Sequence, residues 1–141
     1  MQIQEIPIEQ VWVIRQEVMW PDKDLDFVKV TGDESAIHLG VLDAGEIKSV
    51  ISLFKENQSI QFRKFATLVS EQGKGYGTVL LKHVLEHYAG LGTDKIWCHA
   101  RLQKAPFYEK FGMKKVGDTF VKNGLEYVNM EKRISFISPE S

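Results

Sequence analysis

The stretch Leu68 to His87, LVSEQGKGYGTVLLKHVLEH, constrains this chain more than any other. A strand-like run, Ser59 to Val69, enters an apolar helical run, Thr78 to Leu91, through Gly73, Gly75 and Gly77. Leu81, Val84, Leu85 and Tyr88 share one side of that helix, and "GLGT" ends it. A strand followed by a helix returns to its own sheet as a parallel neighbour, so "KIWCHA" is expected beside the first strand. The same turn leaves first-turn N–H groups unpaired and adds the positive end of the helix dipole, which suits a phosphate or pyrophosphate. Glycine allows close approach and positive φ, and Lys74 supplies a cation. The plain alternative is a tight strand-to-helix turn with no ligand.

The remaining elements follow from periodicity. Gln2 to Ile8 reads as a short strand, and Glu9 to Trp20 as a helix with Val11, Ile14 and Val18 on one face, stopped by Pro21. "PDKDLDFVKVTGDES" reads as a solvated loop. Strand-like runs cover Ala36 to Leu42, Glu46 to Lys55 and Ser59 to Val69, joined by turns short enough for antiparallel neighbours. A short helix is expected over Pro106 to Phe111, and late strands over Met113 to Phe120 and Leu125 to Lys132. The sum is a mixed α/β (α+β) sheet with helices on its faces. No repeat or linker divides the chain, so residues 1–141 are expected to form a single domain.

Composition narrows the function classes. With 43% hydrophobic residues and 26% charged ones, the chain can bury a sizeable core, and its net charge of −1 argues against nucleic acid as a partner. One cysteine, Cys98, excludes an intrachain disulfide and fits a reducing compartment. No apolar run approaches membrane-spanning length, and "MQIQEIPIEQ" lacks the features of a signal peptide, so no membrane partner and a cytoplasmic location are expected.

Two familiar phosphate motifs fail. A P-loop needs four residues between its first glycine and Gly-Lys-Ser/Thr, whereas Lys74 sits inside the cluster. The dinucleotide fingerprint needs a sixth-position glycine; counted from Gly73 that position is Thr78, and from Gly75 it is Leu80. Its ribose-binding acid should also end the next strand, which ends in His99, Ala100 and Arg101.

The order of motifs does match a known family. "FATLVSEQGKGYGTVLL" resembles the acyl-CoA segment of the GNAT superfamily of N-acetyltransferases, with Gln72, Gly75 and Gly77 in its Gln/Arg-x-x-Gly-x-Gly/Ala core. "APFYEKFGMKKVG" resembles the later Phe-Tyr-Glu-Lys-x-Gly-Phe segment, with Met113 in the final aromatic's place. "VIRQEVMW" and "AIHLGVLDAGEIKSV" are similar to the first helix and second strand of small bacterial-type members, so the resemblance spans nearly the whole chain.

The resemblance implies a mostly antiparallel sheet with a splayed central parallel pair, and acetyl-CoA or a related acyl-CoA as donor substrate. Its pyrophosphate is then expected on the backbone of Gly73, Lys74, Gly75, Tyr76, Gly77 and Thr78, with Gln72 as family marker. The pantetheine arm is expected to pair like an extra strand with Phe65, Ala66 and Thr67. The implied chemistry is direct acyl transfer to a primary amine of a small molecule or peptide, with Tyr108 as proton donor to the departing thiolate. Many members carry an asparagine about seven residues before the tyrosine; here Arg101 stands there. His99, His38 and Glu126 are candidates for base or substrate ligand, with a water relay as the alternative. The competing class is a non-catalytic acyl-CoA-binding or regulatory module, which the presence of Tyr108 disfavours. The acceptor is not legible, although the acidic loop Asp22 to Glu34 suits a cationic one, and a homodimer is compatible with the sequence.

Three other patterns are read as structural. His83 and His87 are four apart on a helix, but no further ligand is spaced to complete a metal set, so no metal is expected. "DKDLDF" starts like a calcium loop, yet Phe27 stands where its glycine belongs and Asp33 where its glutamate belongs. Trp97 and Cys98 are expected in the core.

Overall fold

The computed structural model describes residues 1–88 and 92–134. It shows a mixed α/β fold built on a seven-stranded sheet of order β1-β2-β3-β4-β5-β7-β6 with helices flanking it. The strands are β1 (Gln2–Glu5), β2 (Ile37–Asp43), β3 (Glu46–Glu56), β4 (Ser59–Thr67), β5 (Lys95–Arg101), β6 (Lys114–Lys122) and β7 (Leu125–Arg133). The helices are α1 (Ile8–Met19), α2 (Leu25–Val28), α3 (Tyr76–His87) and α4 (Ala105–Glu109). The parallel pair is β4 with β5, as the intervening helix requires. Its ladder covers only Ser59, Ile60 and Gln61 against Lys95, Ile96 and Trp97, after which β4 runs on to Thr67 and β5 to Arg101. Lys64, with φ of +54°, interrupts the extended backbone of β4 just before Phe65.

The chain groups into two compact units: Met1–Phe54 with Phe62–Val84, and Lys55–Gln61 with the described residues from Leu85 onward. In the first unit β1 pairs antiparallel with β2, and β2 with β3. Val11 and Ile14 of α1 fall on one helical face and pack with Ile6, Val50 and Ala66, extended by Val18, Leu42, Ile47 and Leu68. Beneath α1 lies a polar cluster. The Arg15 guanidinium donates to both Asp33 carboxylate oxygens at 2.8 and 3.0 Å, to Ser52 Oγ at 2.8 Å and to the Val28 carbonyl at 3.0 Å. Asp33 also accepts from Trp12 Nε1 and from the Val30 amide. In the second unit β5 and β6 flank β7, both antiparallel to it. Alternation along β5 and β7 buries Ile96, Cys98, Ala100, Val128 and Met130 together with Ala105 and Met113. Asn123 and Gly124, with φ of +53° and +76°, close the β6–β7 hairpin in the conformation that matches strand twist.

Several boundaries and environments depart from the sequence expectations. The third strand-like run stops at Thr67, because Val69–Glu71 forms a 3-10 turn before the glycines. The expected loop from Pro21 contains α2, capped by Asp24, whose side chain accepts from the Phe27 amide at 3.1 Å. "DKDLDF" is thus a helix start, in which an aspartate satisfies an otherwise unpaired N–H. Asp33 is not solvated: only 1% of it is exposed. Trp97 is half-buried on the sheet face opposite Cys98, whereas Cys98 is in the core as expected. Helix α3 begins at Tyr76, two residues earlier than expected; its expected end at Leu91 lies outside the described residues. Among the described residues, no helix is long and apolar enough to cross a membrane.

Candidate functional site

The glycine segment is an anion-ready helix entrance. Gly73 and Gly75 have φ of +80° and +90°, a region in which a side chain is strained, and a Cβ on either would meet nothing within 4 Å. Glycine is needed there for backbone direction. Gly77 differs: a Cβ on it would stand 3.3 Å from the Phe65 ring and 3.4 Å from Thr67 Oγ1, so its role is close packing of α3 on the end of β4. Within this twelve-residue helix the Val79 amide reaches back to the Gly75 carbonyl at 3.0 Å. Among the described residues, none of the amides from Gly73 to Thr78 donates a hydrogen bond to another protein group. Six consecutive unspent donors at a helix N-terminus form a site for an anion.

Side chains around the turn hold it in shape. Gln72 Nε2 donates to the Thr67 carbonyl at 3.1 Å and ties the turn to the strand it leaves. Ser49 Oγ donates to the Ala66 carbonyl at 3.1 Å and lies 2.9 Å from Thr67 Oγ1, and the Leu68 amide donates to the Lys48 carbonyl at 3.0 Å. The Tyr76 ring is buried, and its hydroxyl donates to Asp43 at 2.7 Å, a bond that raises the phenol and lowers the carboxyl. Lys74 Nζ lies 2.9 Å from Glu71, which also accepts from Lys48 Nζ at 3.1 Å. Hydrogen bonds from Lys74 and then Lys48 hold the Glu71 carboxyl below its ordinary range, and those that Lys48 donates to Glu71 and Glu46 raise its ammonium. The expected contact residues Phe65, Ala66, Thr67, Gln72, Gly73, Lys74, Gly75, Tyr76, Gly77 and Thr78 thus all belong to the first unit. Lys48, Glu71 and Asp43 escape a motif search because they lie on other elements or outside the glycine pattern. The one available signal is Glu71 standing beside Gln72.

Tyr108 lies in the second unit, on the short helix α4, which Pro106 starts in the manner expected. Its ring is partly buried beside Phe107, which packs in turn on Phe111 at 5.2 Å between ring centroids. Burial, and then the neighbouring Cys98 sulfur, push the phenol well above its ordinary value, so it carries its proton at neutral pH. Cys98 itself is pushed up to about 12 by burial. The three candidate bases differ. His38 is buried and committed at both ring nitrogens, to Ser52 Oγ at 2.7 Å and to the Asp33 carbonyl at 2.8 Å, so it braces the cluster under α1. His99 is exposed on β5 between the Trp97 and Phe120 rings. Glu126 is exposed on β7.

Residues 24–134 match the family model of the acetyltransferase (GNAT) domain. Among curated proteins, an uncharacterized N-acetyltransferase, YitI, of Bacillus subtilis (strain 168) is 28% identical over 129 residues, covering 85% of this chain and 87% of that protein. Among solved structures, the ribosomal-protein-S18-alanine N-acetyltransferase from Escherichia coli superposes with a TM-score of 0.82 at 14% identity, covering 99% of this chain and 97% of that one. An aminoglycoside 6'-N-acetyltransferase complexed with coenzyme A gives 0.79 at 16% identity, covering 98% and 99%. The fold agrees with those two, and the family match over most of the sequence settles the assignment: the chain belongs to the GNAT family of acyl-CoA-dependent N-acetyltransferases.

Proposed function

We propose that the protein, acting as one domain over residues 1–141 in the cytoplasm, transfers the acetyl group of acetyl-CoA directly to a primary amine. The observation that carries the donor half is the run of unspent amides from Gly73 to Thr78, opened by two glycines in positive-φ conformations. These amides would hold the pyrophosphate. The backbone of Phe65, Ala66 and Thr67, where β4 outruns its parallel ladder, would hydrogen-bond the pantetheine amides as an added strand does.

In the reaction the neutral amine nitrogen attacks the thioester carbon, a C–N bond forms, and the C–S bond breaks to release CoA thiolate. The amine loses one proton to solvent or a base. Tyr108 serves the departing sulfur. A thiol titrates near 8.5 and an ordinary phenol near 10, and this phenol lies higher still, so it stabilises the thiolate by donating a hydrogen bond rather than by surrendering its proton outright.

The test is thiol release from acetyl-CoA across a panel of small-molecule and peptide amines. Release with at least one amine, falling about tenfold or more in Tyr108→Phe with CoA affinity unchanged, supports the reading. Unchanged turnover in Tyr108→Phe removes Tyr108 from the chemistry. Release that requires a covalent acetyl-enzyme, seen by mass spectrometry without acceptor, would replace direct transfer by a two-step route.

A further inference from the structure

The glycine turn carries a carboxylate of its own. Glu71 ends the 3-10 turn immediately before Gln72 and Gly73, and its side chain is 15% exposed. A negative charge beside an anion site opposes the ligand, unless it is neutralised. Two ammonium groups neutralise it. Lys48 reaches it from β3 at 3.1 Å and is itself 14% exposed, braced by a second contact to Glu46 at 3.2 Å. Lys74 reaches it from inside the glycine turn at 2.9 Å and is 57% exposed. The two lysines are not equivalent: one is packed and anchored twice, the other is held by Glu71 from the solvent side.

We propose that Glu71 acts as an internal stand-in for phosphate, holding Lys74 until a pyrophosphate-bearing ligand takes it, while Lys48 stays behind to neutralise Glu71. This deepens the acetyl-CoA reading above and rests on it. Lys74 changes partner from carboxylate to phosphate, so part of its attraction to ligand is offset by the contact it gives up. Lys48 then sets the cost of the exchange. Without Lys48, Glu71 would keep a stronger hold on Lys74 and repel the incoming pyrophosphate. Glu71 is therefore a brake on cofactor affinity, and Lys48 a positioning residue that relieves it without touching the ligand.

The experiment is calorimetric titration of coenzyme A into wild type, Glu71→Gln, Lys48→Met and the double variant, at low and at moderate salt. Glu71→Gln is expected to tighten binding by about three- to fivefold at low salt, and Lys48→Met to weaken it by a similar factor, both effects shrinking as salt screens the charges. The double variant is expected to match Glu71→Gln, because Lys48 has no task once the carboxylate is gone. Weaker or unchanged binding in Glu71→Gln overturns the proposal, as does a double variant in which the two effects simply add. Lack of CoA binding by folded wild type would instead overturn the cofactor reading beneath it.

Discussion

Arg15 and Asp33 meet end-on through two hydrogen bonds, with 0% and 1% of their side chains exposed, eighteen residues apart in the chain. The pair joins α1 to the segment that leads into β2, and Ser52 of β3 and the Val28 carbonyl accept further bonds from the two terminal guanidinium nitrogens. Removing one partner leaves a buried charge without compensation. Asp33→Ala is therefore expected to cost about 3–5 kcal/mol in urea unfolding, and Arg15→Ala a similar amount. Replacing both by apolar residues of like volume should cost clearly less than the sum of the two. Equal additivity would mean that the pair contributes nothing as a pair.

The same pair gives stability a pH dependence. Burial alone would raise the Asp33 carboxyl, but hydrogen bonds from Arg15, Trp12 and Val30, with the Arg15 charge, outweigh it and bring the group down to about 2. A carboxyl lowered in the folded state binds fewer protons than in the unfolded chain, so its contribution is fully present above pH 4 or so. It is lost as pH falls from about 4 towards 2, and amounts to about 2 kcal/mol. Urea midpoints of wild type and Asp33→Asn across that range should converge as pH falls; parallel curves would exclude Asp33 as the cause.

At the glycine turn, positive φ and packing predict different outcomes for the same substitution. Gly75→Ala forces a side chain into φ of +90° with open space around it, so about 1–2 kcal/mol of backbone strain is expected. CoA affinity should fall as the amides turn away. Gly77→Ala keeps its backbone but presses on Phe65, so its effect should be smaller and should register in thermal unfolding. A Gly75→Ala protein with full stability and full CoA affinity would show that the turn geometry is not what the ligand reads.

Cys98, the chain's one cysteine, offers a simple kinetic probe. It is 3% exposed, and burial pushes its thiol up to about 12. Labelling by a disulfide reagent at neutral pH should therefore track opening of the second unit rather than the intrinsic reactivity of a thiol. Mild urea should accelerate it steeply. Fast labelling of the native protein would contradict the burial of β5.

Much of the architecture was legible because it depends on local pattern. Alternation gave the strands, Val11, Ile14 and Val18 gave α1, and the helix between Thr67 and Lys95 gave the parallel pair. Misreadings cluster where distant residues decide. Nothing near Asp33 in sequence announces Arg15 or Ser52, so an acidic stretch read as solvated although Asp33, in its last turn, is buried. Trp97 read as core by its neighbours, yet odd positions of β5 face away from Cys98. At the glycine turn the motif covers Gly73 to Thr78 but assigns nothing to Glu71 just before it, because the lysine that pairs with Glu71 from β3, Lys48, is distant in sequence.

The short β4–β5 ladder also bears on how the chain folds. The β2–β3 and β6–β7 pairs are hairpins whose partners adjoin in sequence, so they close quickly, on the order of microseconds. Ser59–Gln61 can meet Lys95–Trp97 only after the intervening chain has formed α3 and brought the strand ends round. That long closure yields only three residue pairs, so little is gained until it is nearly complete. The central seam of the sheet is thus where folding is slowest, and the glycine turn proposed to hold the pyrophosphate sits inside the loop that must close last.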